Sequence, residues 1–254
     1  MCKKTRIFLS VFVLILLSCL SATVWAAEIT VSAAASLTNA FTEVRAAFEK
    51  DNPGIVALTN FASSNALLAQ IESGAPVDVF ASADQATMNR AEEKKLVFRP
   101  SRKNFAGNGL VLIVPAAGGL NPSGAGDLTG VEYDRIAVGN PDSVPAGRYA
   151  REVLEGRNIW SALAPKLVYG ESVRQVLDYV VRDEVRAGFV YSTDARQAGA
   201  QVRVVETLKG KTPVLYPIAV LEASKNKAEA QKFVDFVLSP AGQDILSRYG
   251  FSAP

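Results

Sequence analysis

The sequence predicts an α/β protein of two lobes, the second inserted into the first, on three observations. Short β-like apolar runs alternate with helical stripes through the body of the chain, an order that layers helices against largely parallel sheets. Two glycine-containing, proline-free segments, 105–108 and 208–211, each precede a strand and offer crossovers between lobes. No internal repeat or low-complexity linker divides the 254 residues, a length that suits two lobes of roughly 100–120 residues each.

Residues 29–35 read as the first strand. Leu37, Phe41, Val44 and Phe48 then recur at spacings of 4, 3 and 4, which puts all four on one face of a helix. Asn52-Pro53-Gly54 ends that helix, because proline lacks the amide proton that would continue it. Residues 56–61 are extended, 66–72 are helical with Leu67, Leu68 and Ile71 on one side, and 77–81 form a third strand after Ser73-Gly74-Ala75-Pro76. Beyond the first crossover, 110–114 and 135–138 read as strands, 148–155 as a helix, 167–169 as a strand and 172–182 as a helix. Residues 188–191, 202–205 and 214–221 are strands, and helices over 227–238 and 241–249 close the chain around Ser239-Pro240. The expected division is a leader over 1–26, one lobe from 27–106 plus 215–254, and a second lobe from 107–214.

Lys3, Lys4 and Arg6 precede an apolar run over 7–20, and Val24 and Ala26 supply modest and small residues at a cleavage site. This is the three-part plan of a secretory signal peptide. The run is short for the roughly 20 residues of a membrane span. A lipoprotein cut before Cys19 is the weaker alternative, because Leu17 precedes the small residue Ser18. Cleavage after Ala26 leaves 228 residues with 24 basic and 25 acidic side chains, so the net charge of +2 becomes −1. Nothing in that balance points to nucleic acid or a polybasic membrane contact. The exported body fits a periplasmic or extracellular solute-handling protein.

The chain has no histidine, and its only cysteines, Cys2 and Cys19, lie in the leader. That excludes a Ser-His-Asp triad, a Cys-His dyad, a histidine-bound zinc or haem, and a disulfide within the body. Gly210-Lys211-Thr212 looks like the end of a phosphate-binding loop, but Val205 stands where its first glycine belongs. Gly107-Asn108-Gly109 opens like a dinucleotide fingerprint, but Leu112 replaces the third glycine. A secreted enzyme using Asp78 or Glu171 as acid or base lacks an identifiable nucleophile–base pair.

What remains is a repeated placement of hydroxyls at helix starts. Ala33-Ala34-Ala35-Ser36 ends a strand in small residues and sets Ser36 where a helix cap belongs. Phe61-Ala62-Ser63-Ser64 repeats strand, serine and helix one unit later. Ligands of open α/β sheets bind beyond the carboxyl ends of the strands. Helix starts there, each carrying roughly half a positive charge, would hold an anion without lysine or arginine. The second lobe adds Pro145-Ala146-Gly147 and Ser172-Val173 at helix starts, and Tyr191 at a strand end.

The segments AAASLTNAF, FASSNALLAQIESGAPVDVFASAD, VPAGRYA, ESVRQVL, FVYSTDA and the ending SRYGF resemble, collinearly over essentially the whole mature chain, the periplasmic molybdate-binding proteins of ABC importers. The resemblance implies a two-lobed periplasmic binding fold, each lobe a mostly parallel sheet flanked by helices, with two crossover strands at a hinge that closes on ligand. It also implies oxyanion contacts from the Ser36 and Ser64 hydroxyls, the Ala146 and Val173 amides and the Tyr191 phenol. No protein atom would bind the metal, and no cofactor or catalytic residue is implied. Molybdate or tungstate is the implied ligand, with little discrimination between them, and an ABC permease is the implied partner of a monomer. A carrier of another tetrahedral oxyanion, sulfate or thiosulfate, is the alternative. Arg148 and Arg174 flank the proposed amide donors, and the sequence does not say whether either reaches the cleft.

Overall fold

The protein is described by a computed structural model over residues 26–254; the leader and the alternative cut at Cys19 lie outside the described residues. Its first half runs β1 (Ala27–Ala34), α1 (Thr38–Asp51), β2 (Ile55–Ala62), α2 (Ser64–Glu72), β3 (Val79–Ala81), α3 (Gln85–Glu93), β4 (Lys103–Asn108) and β5 (Leu110–Pro115). Then follow β6 (Ile136–Gly139), α4 (Pro145–Gly156), α5 (Trp160–Leu163), β7 (Leu167–Gly170), α6 (Val173–Val181), β8 (Ala187–Tyr191) and α7 (Ser192–Ala198). The chain ends through β9 (Val202–Leu208), β10 (Val214–Val220), α8 (Lys227–Leu238) and α9 (Pro240–Arg248).

The strands form two five-stranded sheets, ordered β2-β1-β3-β10-β4 and β7-β6-β8-β5-β9. In each sheet three neighbouring strands are parallel, and the crossover strands join antiparallel. The sheets are therefore mixed, with β10 in the first and β5 in the second running against the other four. Each reversed strand is the one by which the chain enters that sheet from the other. The chain leaves the first sheet at Asn108 and enters the second at Leu110, then returns between Leu208 and Val214. Asn108 pairs with Val214 and Leu110 with Leu208, so the two crossovers run side by side.

Parallel register is what assembles the site. Ala34 lies beside Ala62 and Ala33 beside Ala81, so β1, β2 and β3 release the chain at one edge. In the second sheet Gly139 pairs with Gly170, and β8 runs parallel to β6 beside it. The connections that follow these strand ends face each other across the lobes.

The apolar stripe of α1 is buried as its spacing predicts, at Phe41, Val44 and Phe48. Phe233 of α8 packs edge-on between two of these rings, 6.0 Å from Phe41 and 5.2 Å from Phe48. The aromatic row continues from Phe41 through Phe105 and Tyr216 to Tyr191, each step between 5.6 and 6.2 Å, and so reaches the lobe boundary.

Four elements go beyond the sequence reading: α3, α5, α7 and the strand β4. α3 buries only Thr87, Met88 and Ala91, and the apolar residues that α7 buries are Ala195 and Ala198, too little to show a helical period. Both are fixed by tertiary contacts instead. Replacing Phe233 with alanine should lower unfolding free energy by about 3–5 kcal/mol, measured by urea denaturation, because two edge-on ring contacts are lost with the buried area.

Candidate functional site

The five residues singled out from the sequence lie on the wall of one small cavity between the lobes, with about 10 Å³ of free volume. Ser36 and Ser64 come from the first lobe, and Ala146, Val173 and Tyr191 from the second. All five are buried.

The two serines do not cap helices, which corrects the expectation for Ser36. Ser36 sits inside a 3-10 turn, Ala35–Leu37, and the cap position of α1 is Leu37. Ser63 occupies the cap position of α2 without a side-chain bond, leaving Ser64 as the first helical residue. Elsewhere the same chemistry does cap: Ser172 accepts from the Gln175 amide at 3.2 Å and Ser239 from the Gly242 amide at 3.2 Å. The cavity serines are turned to other partners. Ser64 Oγ accepts the Ala83 amide proton at 3.0 Å, and Ser36 Oγ lies 3.0 Å from the Tyr216 hydroxyl.

These contacts decide what the wall offers. An amide can only donate, so the Ser64 proton is left free. Ala146 is the second residue of α4 and Val173 the first of α6, positions where a helix provides no acceptor for the amide. The Tyr191 hydroxyl is buried and has no hydrogen-bond partner among the described residues. Burial pushes its ionisation well above the ordinary tyrosine value, so it stays a phenol and a donor. The wall thus offers protons without acceptors at Ser64, Ala146, Val173 and Tyr191.

Neither arginine lines the cavity. Arg148 Nε donates to Asp84 Oδ2 at 3.0 Å, with a second bond from its Nη2, and the same nitrogen reaches Thr87 Oγ1 at 3.0 Å. Arg174 Nε lies 2.8 Å from Asp194 Oδ1 as an ion pair without hydrogen-bond alignment, while its Nη2 donates to the Ser36 carbonyl at 3.3 Å. Both guanidinium groups are held by carboxylates and both reach across from the second lobe to the first. Asn65 Nδ2 adds a third link, donating to the Asp142 carbonyl at 2.6 Å. Together these contacts close the cavity.

Asp84, Asn65, Asn108 and Tyr216 escaped the sequence reading. Asp84 caps α3 by accepting the Thr87 amide at 3.0 Å, but α3 carries no apolar stripe that would have drawn attention to its start. The carboxylates considered for catalysis are otherwise engaged or remote: Asp78 accepts the Thr30 amide at 2.8 Å and the Ser224 hydroxyl at 2.6 Å, and Glu171 is exposed. Among the described residues no group of three or more His, Cys, Asp or Glu side chains could hold a metal ion. A larger open groove of about 840 Å³ lies on the first lobe, but its Glu92 is already paired with Arg99 and Arg102.

Two sheets joined by paired crossovers, with a closed donor-lined cavity between them, define a two-lobed solute-binding protein. The chain belongs to the bacterial extracellular solute-binding protein family, which matches residues 29–252. It is 41% identical over 231 residues to the molybdate-binding protein ModA of Escherichia coli K12, covering 89% of each chain. Among solved structures it is 38% identical to the substrate-binding domain of a putative molybdenum ABC transporter from Clostridium difficile, covering 90% of this chain and 99% of that one, with a TM-score of 0.68. The periplasmic molybdate-binding protein of Azotobacter vinelandii shares the fold at a TM-score of 0.78 and 24% identity, covering 89% of this chain and 100% of that one.

The α4 amide depends on a close backbone approach. A Cβ on Gly147 would stand 1.9 Å from the Gly139 carbonyl oxygen, so only glycine lets α4 start against the end of β6. Gly147→Ala should lower the melting temperature and displace the Ala146 amide, at a cost of about 1–3 kcal/mol readable by calorimetry.

Asp194 gives a pH signature. Burial pushes its carboxyl up to about 6, against the pull of Arg174 and of the Tyr191 amide. The folded state then keeps a proton that the unfolded state releases near about pH 4. The Asp194 contribution is full below that pH and is lost as pH rises through about 6. Denaturation of wild type and Asp194→Asn across roughly pH 4 to 7 should show this decline in wild type alone.

Proposed function

We propose that the protein captures molybdate, and tungstate equally well, between its two lobes and delivers it to the permease of an ABC importer. The observation that carries this reading is the buried Tyr191 hydroxyl without a partner among the described residues, on a wall of free donors contributed by both lobes. Such a site calls for oxygens that only accept. A fully deprotonated tetrahedral oxyanion meets that demand, whereas monohydrogen phosphate would bury one unpaired proton at a cost of about 1–3 kcal/mol. Sulfate meets the same charge and hydrogen-bond demand, so discrimination against it rests on the spacing of the donors. That relatives at 41% and 38% identity are named molybdate-binding proteins supports molybdate rather than sulfate in this reading.

In this reading Ser36 and Ser64 donate through their hydroxyls, Ala146 and Val173 through their amides and Tyr191 through its phenol. No protein atom binds the metal, and nothing is transformed. Closure is held by Arg148 with Asp84, by Asn65 with the Asp142 carbonyl, and by Arg174 with the Ser36 carbonyl. Ligand-bound and ligand-free forms would differ by rotation at the paired crossovers, which supports a division into 27–106 plus 215–254 and 107–214. The mature protein is read as a periplasmic monomer released after Ala26, and the closed form is the one that docks on the permease.

Calorimetry and thermal shift on the mature protein with molybdate, tungstate, sulfate and phosphate test the reading. At a ligand excess of about 100 times Kd, binding adds about 2.7 kcal/mol, a rise of roughly 5–10 °C for a chain of this size. Molybdate and tungstate should both produce it. A shift with sulfate alone would replace the assignment with the sulfate alternative. Ser36→Ala, Ser64→Ala and Tyr191→Phe should each weaken molybdate binding by about 1–3 kcal/mol.

A further inference from the structure

We infer that Asn108, at the first crossover, fixes the direction in which the Ser36 hydroxyl donates and so sets the site's preference for fully deprotonated oxyanions. This rests on the oxyanion reading above but concerns a residue outside the cavity wall. Asn108 is a positioning residue, acting through Tyr216.

The chain of hydrogen bonds leaves little freedom. Asn108 Oδ1 accepts the Gly109 amide proton at 2.9 Å and the Ser192 hydroxyl proton at 2.8 Å. Its Nδ2 donates to Thr193 Oγ1 at 2.8 Å and to the Tyr216 hydroxyl at 3.2 Å. A backbone amide can only donate, so the Gly109 contact identifies the oxygen end of the carboxamide and thereby its nitrogen end. Tyr216, fully buried, therefore receives a proton from Asn108. A phenol has one proton of its own, and the other partner of this hydroxyl is Ser36 Oγ at 3.0 Å. That proton goes to Ser36. Ser36, already an acceptor, is left to point its own proton into the cavity it lines.

The relay thus runs from Asn108 Nδ2 through Tyr216 and Ser36 to the ligand. Its members lie on β4 and β10 of the first sheet and on the turn after β1, and the Gly109 amide that fixes the carboxamide is the next residue along the chain. Without it the Ser36 hydroxyl could rotate and offer a lone pair, which a deprotonated oxyanion repels and a hydrogen-bearing anion accepts. Ser64 is locked in the same sense by the Ala83 amide, a donor that cannot be reversed. Of the two serines, Ser36 alone has a side chain fixing its polarity, and so a polarity that substitution can reverse.

Asn108→Asp tests this by replacing the donor end with an acceptor of nearly identical shape. Tyr216 would then donate to the introduced carboxylate, Ser36 would donate to Tyr216, and a lone pair would face the cavity. Molybdate affinity, by calorimetry, should fall about 10- to 100-fold. In a Ser36→Ala background the same substitution should cost only the few-fold effect of an added negative charge. Tyr216→Phe, which breaks the relay without reversing it, should cost less than Asn108→Asp. An equal loss from Asn108→Asp in both backgrounds would overturn the inference. A ligand-free measurement separates it from the oxyanion reading: the buried Tyr216 hydroxyl proton should show a nuclear Overhauser contact to the Ser36 β-protons in wild type and lose it in Asn108→Asp. Wild type that takes up no oxyanion, yet shows this contact, sinks the molybdate reading and keeps the relay; absence of the contact sinks the relay whatever binds.

Discussion

Closing two lobes over a wall of hydroxyl and amide protons strips water from donors that the protein then leaves without acceptors. A buried polar group in that condition costs about 1–3 kcal/mol, and the cavity gathers several of them. The cost falls only when something that accepts from every side occupies the space. The empty closed state is therefore disfavoured relative to the filled one, and this one constraint relates the chemistry of the wall to the motion of the lobes. The same property makes the site discriminating: a ligand with a proton of its own adds to the unpaired donors instead of relieving them.

The attraction for an anion comes from polarity of the backbone rather than from net charge. Residues 27–254 carry −1 overall, and Arg148 and Arg174, which flank the amide donors, are held by Asp84 and Asp194. The two arginines do a different task. Arg148 bridges from α4 to the cap of α3, and Arg174 bridges from α6 to the Ser36 carbonyl, so each ties a helix of one lobe to a strand-end connection of the other. With their charges compensated outside the cavity, the helix starts and hydroxyls are the groups through which the proposed oxyanion would be held, by direction as well as by charge. A free guanidinium on the wall would attract any anion; fixed donors select by geometry and protonation.

How much of this was legible in the sequence depends on whether neighbours along the chain or across it decide a residue's role. The strand ends and helix starts that hold Ser36, Ser64, Ala146, Val173 and Tyr191 are legible in the pattern, and parallel register carries such positions to one edge, but which residue of each segment faces the ligand is what the resemblance to molybdate-binding proteins implies. The role first expected of Ser36 was nevertheless a cap, since the local pattern cannot show that its hydroxyl turns to Tyr216, 180 residues away. Asp84 and Asn65 were hidden for a related reason: their partners, Arg148 and the Asp142 carbonyl, lie 64 and 77 residues further on, in the other lobe. α3 and α7 were missed because tertiary contacts hold helices whose own apolar periodicity is faint.

The crossovers show why hinge and site cannot be tuned separately. Asn108 pairs with Val214 at the point where the chain changes lobes, and two residues further along β10 is Tyr216. A side chain at the hinge thus reaches the hydroxyl that orients Ser36, while the same carboxamide bonds Ser192 and Thr193 at the start of α7, directly after Tyr191. Domain rotation needs a few positions that absorb the change in backbone angles, and those positions are usually sought away from the ligand. Here the second sheet begins within two residues of the relay that orients a site donor. Substitutions chosen to loosen the hinge at this crossover should therefore alter which anions bind as well as how fast the lobes close.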